Sequence, residues 1–170
     1  MFLSDGEEGL GTIRLLVVCT ANVCRSPLVA ALIQQRLADT NLSEGIRVES
    51  AGVYGHTGDS IDPVVLDLLR ELGIEPAAHR ATPVEETALH GADLVLVMEE
   101  AHRQALFYRL PAALPKIFML SELAGRYEDI RDPHGQDLAD YRATFDQVTE
   151  LLEAGWPTLM QKLQKKNTGA

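Results

Sequence analysis

Cys19 and Arg25 bracket the run Cys19-Thr20-Ala21-Asn22-Val23-Cys24-Arg25-Ser26-Pro27. It follows an apolar stretch over residues 13–18 and leads into a helical pattern beginning at Pro27. A short loop turning into a helix points backbone N–H groups inward, and the helix N-terminus adds partial positive charge. Such a nest holds a dianion, and the same field favours the thiolate form of Cys19 over the thiol. Residues 19–26 are therefore expected to be a phosphate-binding loop with a nucleophilic sulfur at its floor. The Arg25 fork suits two phosphoryl oxygens better than a lysine point charge does. The Ser26 hydroxyl can reach back to the sulfur, and Asn22 tolerates left-handed backbone angles that would set the curl. Pro27 falls in the first helical turn, where proline is accepted. The chemistry this pattern serves is phosphoryl transfer through sulfur.

Two cysteines behind a strand also arise as small, inert core residues. Strand before, helix after, and Asn, Ser and Pro in these slots favour the chemical reading. A metal site is not expected: the cysteine gap is at the edge of ligand spacing and no second pair exists. No cofactor is implied.

Displacing an alkoxide or phenoxide from phosphorus calls for a proton donor. Asp132, in Asp129-Ile130-Arg131-Asp132-Pro133-His134-Gly135, is the candidate, because Pro and Gly mark a surface loop. A helix cap or turn-initiating role for Asp132 is an equal alternative at this stage, and Asp129 is a rival acid.

The elements that must position these groups alternate. Strands are predicted over 13–18, 46–50, 94–98 and 116–120. Helices are predicted over 27–38, from Asp62-Pro63 to a stop at Gly73, over 100–108 and over 137–163, the last with a break at Gly155-Trp156-Pro157. That alternation predicts an α/β fold: a three-layer αβα arrangement, with a four-stranded, parallel, twisted sheet and helices on both faces. Ligands in such sheets bind beyond the carboxyl ends of the strands, where the Cys19 loop lies. One domain is expected over 13–163, with a flexible leader over 1–12 and a flexible tail over 164–170.

At 170 residues the chain suffices for one real core. A net charge of −10 argues against nucleic acid or an anionic membrane as the main partner. No apolar run reaches the ~18 residues of a membrane span, and the start lacks a basic, apolar signal segment. Both cysteines lie in the loop, which fits a reducing cytoplasm.

The Cys19 loop, the Ser50-Ala51-Gly52 turn, the Ala92-Asp93-Leu94-Val95-Leu96-Val97-Met98 strand and Asp132-Pro133 together resemble the low-molecular-weight protein tyrosine phosphatase family, over residues 13–163 or so. The resemblance implies that Cys19 forms a phosphocysteine, that Arg25 stabilises the transition state, and that Asp132 acts first as acid and then as base toward water. It implies a redox partnership of Cys24 with Cys19, support of the thiolate by Ser26, and a hydrogen bond from His79 to the loop asparagine. Ala21 departs from the family's usual glycine, so a positive φ there would be strained. The family's cleft tryptophan is missing; Tyr54 is expected as one wall and His134 as the other, with Trp156 packing in the last helix. Glu99 stands where aspartate is frequent, and no role is assigned to it.

A recessed thiolate selects long aryl phosphates, so the expected substrate is a phosphotyrosine protein or peptide, with inorganic phosphate as product. The resemblance extends to protein-arginine phosphatases, and Val23 does not separate the two activities. Arsenate reduction is disfavoured because no cysteine lies outside the loop, and a non-catalytic phosphate-binding module is the remaining alternative.

Overall fold

The computed structural model describes residues 11–55 and 57–167. Most of the expected leader (residues 1–10) and the end of the expected tail (168–170) lie outside the described residues.

β1 (Ile13–Cys19) is an apolar run in which every residue but Arg14 is buried, as a strand covered on both faces requires. It pairs in parallel with β2 (Ile46–Gly52) on one side and β3 (Leu94–Val97) on the other, and β3 pairs with β4 (Ile117–Met119). The sheet order is β2-β1-β3-β4. The chain thus leaves β1 in one direction and returns to its other side, which puts the topological switch at the carboxyl end of β1, beside Cys19.

The pleat divides the core. Leu15, Val17 and Cys19 face α1 (Arg25–Asp39), α2 (Pro63–Glu71), α5 (Leu120–Leu123) and α6 (Leu138–Asn167). Leu16, Val18, Val95 and Val97 face α3 (Glu86–Gly91) and α4 (Glu100–Arg109), through Leu89 and Leu106. The result is the expected three-layer αβα arrangement. Each fully buried Leu or Val contributes about 1.5–3 kcal/mol relative to exposure.

Two expectations need correction. α6 has no break at Gly155-Trp156-Pro157, and it continues to Asn167, past the predicted end at 163. Gly155 is there for packing: a Cβ on it would stand 2.6 Å from Leu123 Cβ of α5. Pro157 and Glu153, whose carbonyl the missing N–H would have served, are both exposed, so water can take that bond. α1 begins at Arg25, earlier than predicted, so Arg25 and Ser26 occupy its first turn, where N–H groups have no intrahelical partner. α3, α5 and the 3₁₀ turns Ser43–Gly45 and Pro111–Lys116 escaped sequence reading because each is too short to show a period.

Candidate active site

The Cys19–Ser26 loop is curled by bonds that hold its carbonyls outward. Cys19 O accepts from Val53 N (2.9 Å), Thr20 O from Tyr54 N (2.8 Å) and Val23 O from Asp62 N (2.8 Å). His79 Nε2 lies 2.7 Å from Asn22 O. With those carbonyls committed elsewhere, the amide of Asn22 points at Cys19 Sγ (3.3 Å). Such close wrapping requires glycine next door: a Cβ at Gly52 would stand 2.8 Å from Thr20 O, and one at Gly55 2.8 Å from Ala21 O.

Asn22 takes the left-handed conformation, with φ 59°, and Ala21 is not among the positive-φ residues. The strain anticipated at Ala21 does not arise, because the residue after it makes the turn. The Asn22 side chain is fully buried and satisfied. Its Nδ2 donates to Ser26 Oγ (2.8 Å) and Ser50 Oγ (2.9 Å), and its Oδ1 accepts from Thr82 N (2.9 Å). Ser26 Oγ in turn lies 3.0 Å from Cys19 Sγ. Cys19, 2% exposed, thus has its sulfur at the floor of the loop with a hydroxyl and an amide directed at it.

Arg25 is 1% exposed, an extreme burial for a cation. One terminal nitrogen donates to Glu99 Oε1 and to Ile130 O (2.7 Å). The other donates to Thr20 Oγ1 (3.1 Å) and lies 3.4 Å from Asp132 Oδ2. Arg25 Nε is buried and meets no acceptor, an orphan donor of the kind an oxyanion satisfies. Thr20 Oγ1 also meets His102 Nε2 (2.9 Å), and His102 Nδ1 accepts from Glu99 N (3.1 Å). The proton of this imidazole therefore sits on Nε2, donated to Thr20. Burial and then the Arg25 charge push His102 down to about 4, so it is neutral near pH 7.

Asp132 reaches Arg25, whereas Asp129 caps α4 by accepting from Glu100 N (2.9 Å). Of the two aspartates, Asp132 is the one brought to Arg25. Asp132 Oδ1 accepts from His134 N (3.1 Å), a tight local turn that orients the carboxyl. His134 and Tyr54, the expected walls, are both well exposed. Cys24 is a buried free thiol. Burial, with the charges of Asp62 and Asp132, pushes its pKa up, so it stays protonated. Trp156 packs against the main core, with Arg36 over its ring.

Sequence reasoning missed Glu99, His102, Ser50 as an acceptor for Asn22, and the carbonyl of Ile130. Glu99-x-x-His102 at a strand end carries a helix-capping signal, but nothing local says that it faces Arg25. A cavity of about 410 Å³ lies along the outer edge of β2, behind the loop rather than over Cys19. No group of three or more potential metal ligands occurs among the described residues.

The structure brings together a cysteine at the end of the first strand of a parallel sheet, a hydroxyl and an amide directed at it, a buried arginine and a nearby carboxyl, and comparison with known protein families names the class as phosphomonoester hydrolases. A family model described as low molecular weight phosphotyrosine protein phosphatase matches residues 14–168. The chain belongs to that family. It is 36% identical over 152 residues to a protein-arginine-phosphatase of Geobacillus stearothermophilus, covering 89% of this chain and 96% of that one. It is 34% identical over 141 residues to a probable low molecular weight protein-tyrosine-phosphatase of Ralstonia nicotianae, covering 83% and 89%. Among solved structures, the low molecular weight protein tyrosine phosphatase from T. tengcongensis superposes with TM-score 0.80 at 33% identity, covering 89% of this chain and 100% of that one.

Proposed function

We propose that this enzyme hydrolyses phosphotyrosine in proteins through a phosphocysteine intermediate. The observation that carries the reading is Cys19 Sγ recessed at the floor of a loop whose one buried cation, Arg25, also touches Asp132. An incoming phosphoryl group competes with Asp132 for Arg25 and takes up the orphan Nε. It releases the carboxyl toward the leaving oxygen. Cys19 sulfur attacks phosphorus, the tyrosine oxygen leaves with the Asp132 proton, and Arg25 spans two equatorial oxygens. Water, deprotonated by Asp132, then displaces the sulfur and yields inorganic phosphate. Ser26 and the Asn22 amide steady the sulfur in both steps, and Asn22, Ser50 and His79 hold the curl. Tyr54 and His134 flank the aryl group. Cys24 lies in the same loop, and in this reading condensation of its sulfur with a Cys19 sulfenic acid, releasing water, gives a protective disulfide once Cys24 loses its proton.

Depth favours an aryl phosphate, because a serine phosphate is too short to reach the sulfur of a cysteine so deeply buried. Phosphoarginine is the second reading, favoured by the 36% identity to a protein-arginine-phosphatase. Two thiols, both free, suit a reducing cytoplasm, and among the described residues no helix is long and apolar enough to cross a membrane. The test is turnover of phosphotyrosine and phosphoarginine peptides of one sequence, by the wild type and by Cys19→Ser. Preference for tyrosine, lost entirely in Cys19→Ser, is expected. Retained turnover in that variant would remove the nucleophile, and preference for phosphoarginine would replace the substrate.

A further inference from the structure

We propose that Asp62 is a positioning residue for the acid, tethering the 132–135 loop to the phosphate cradle so that the Asp132 carboxyl meets the leaving oxygen. The inference rests on the assignment of Asp132 as the acid. Asp62 is the N-cap of α2, and its Oδ1 performs that task by accepting from Val64 N (2.8 Å). A cap needs only one oxygen, and serine or threonine supplies it as well. The second oxygen is bound elsewhere. Oδ2 accepts from Tyr141 OH (2.7 Å) and lies 3.1 Å from His134 Nδ1. The Tyr141 oxygen in turn meets the backbone N–H of Gly135. Both paths end in the segment that carries Asp132, and His134 N closes on Asp132 Oδ1.

At its other end Asp62 is fixed to the cradle itself, since its backbone N–H donates to Val23 O (2.8 Å). A continuous chain therefore runs from Val23 through Asp62 and His134 to Asp132. Asp62 is 7% exposed, and a carboxylate so enclosed is tolerable only because three donors meet it. The arrangement costs more than a cap requires, and what it adds is a fixed distance between the acid loop and the sulfur loop. Proton donation matters most when the leaving oxygen is a strong base, so a loosened acid loop acts selectively on poor leaving groups.

The test is kcat/KM across aryl phosphates whose phenols span a wide range of acidity. It compares wild type, Asp132→Asn, Asp62→Ser, Asp62→Asn and Tyr141→Phe, with melting temperature and inhibition by inorganic phosphate measured in parallel. Asp62→Ser keeps a cap and removes the tether; Asp62→Asn is nearly isosteric and guards against a folding failure. Both are expected to steepen the leaving-group dependence. The poorest leaving group slows about 10–100-fold, part of the ~10²–10⁴ a general acid supplies, and the best slows at most a few-fold. Phosphate inhibition is expected to stay within about twofold, and Tyr141→Phe to steepen the series less. A uniform loss across the series would mark Asp62 as a structural cap alone. An unchanged slope in the Asp62 variants, with a steep one in Asp132→Asn, would overturn the tether and leave the acid standing. An unchanged slope in Asp132→Asn itself would overturn the acid assignment.

Discussion

Glu99 is ion-paired with Arg25 across the carboxyl ends of two neighbouring strands, β1 and β3. Together with Ile130 O, it fixes one edge of the guanidinium, leaving the other edge to Thr20 and Asp132. A buried arginine held in this way keeps a fixed orientation before any anion arrives. Preorganised charge of this kind costs no rearrangement at the moment of reaction.

Removing that brace should therefore weaken catalysis without removing the nucleophile. Glu99→Ala is expected to lower kcat/KM on an aryl phosphate about 10–100-fold, the worth of one charge-assisted hydrogen bond at about 1.5–3 kcal/mol. Glu99→Gln, which keeps an acceptor, is expected to lose less. Full activity in Glu99→Ala would mean that Ile130 O and Thr20 orient Arg25 by themselves.

The division between what could and could not be read from the sequence follows contact range. The loop, β1 and the start of α1 are contiguous, so the contacts among Cys19, Asn22 and Ser26 are written in neighbouring positions. The sheet was legible because β3 is an uninterrupted apolar run and β1 is broken only by Arg14. Glu99, Ile130 and Asp132 meet Arg25 from 74 to 107 positions away, and nothing local in their sequences points to it. Asp62-Pro63 was legible as a helix start, but the second oxygen of Asp62 only gains meaning once α6 brings Tyr141 against it. At Gly155-Trp156-Pro157 the local signals misled, because a close approach to α5 outweighed the cost of a proline whose lost bond faces water.

Asn22 combines left-handed backbone with three buried side-chain hydrogen bonds. Asn22→Ala forfeits those bonds and forces an L-residue with a Cβ into the left-handed region, at about 1–2 kcal/mol for the backbone alone. Asn22→Gly keeps the backbone at ease and loses only the bonds. Chemical denaturation should find Asn22→Ala less stable than Asn22→Gly by about 1 kcal/mol, with both nearly inactive. Equal stability would show that the curl is set by the outward carbonyl bonds rather than by Asn22.

His102 should make the fold sensitive to mild acid. Its pKa, held down to about 4 by burial and then by Arg25, lies below the value of about 6.5 expected in the unfolded chain. Between those values the unfolded chain binds the extra proton, so stability is full above about pH 6.5 and falls as pH drops toward 4. The loss is on the order of 2–3 kcal/mol. His102→Gln, with a donor and an acceptor but no titration, should flatten the melting-temperature profile over this interval. A profile as steep as that of the wild type would assign the acid sensitivity to other groups.

Gly155 and Pro157 lie two positions apart on α6, and substitution should move stability in opposite directions. A methyl at 155 enters space already held by Leu123 Cβ, at 2.6 Å, and meets its backbone carbonyl carbon at 3.0 Å. Backbone cannot yield as a flexible side chain does, so Gly155→Ala is expected to destabilise by about 1–3 kcal/mol despite alanine's better helix propensity. Pro157→Ala restores the missing helical hydrogen bond at an exposed site and is expected to stabilise, by up to about 3 kcal/mol. Pro157 is exposed on α6, and kcat/KM should be unchanged in Pro157→Ala. A stabilised Gly155→Ala would mean that α5 shifts readily against α6, and that the glycine is not required for their contact.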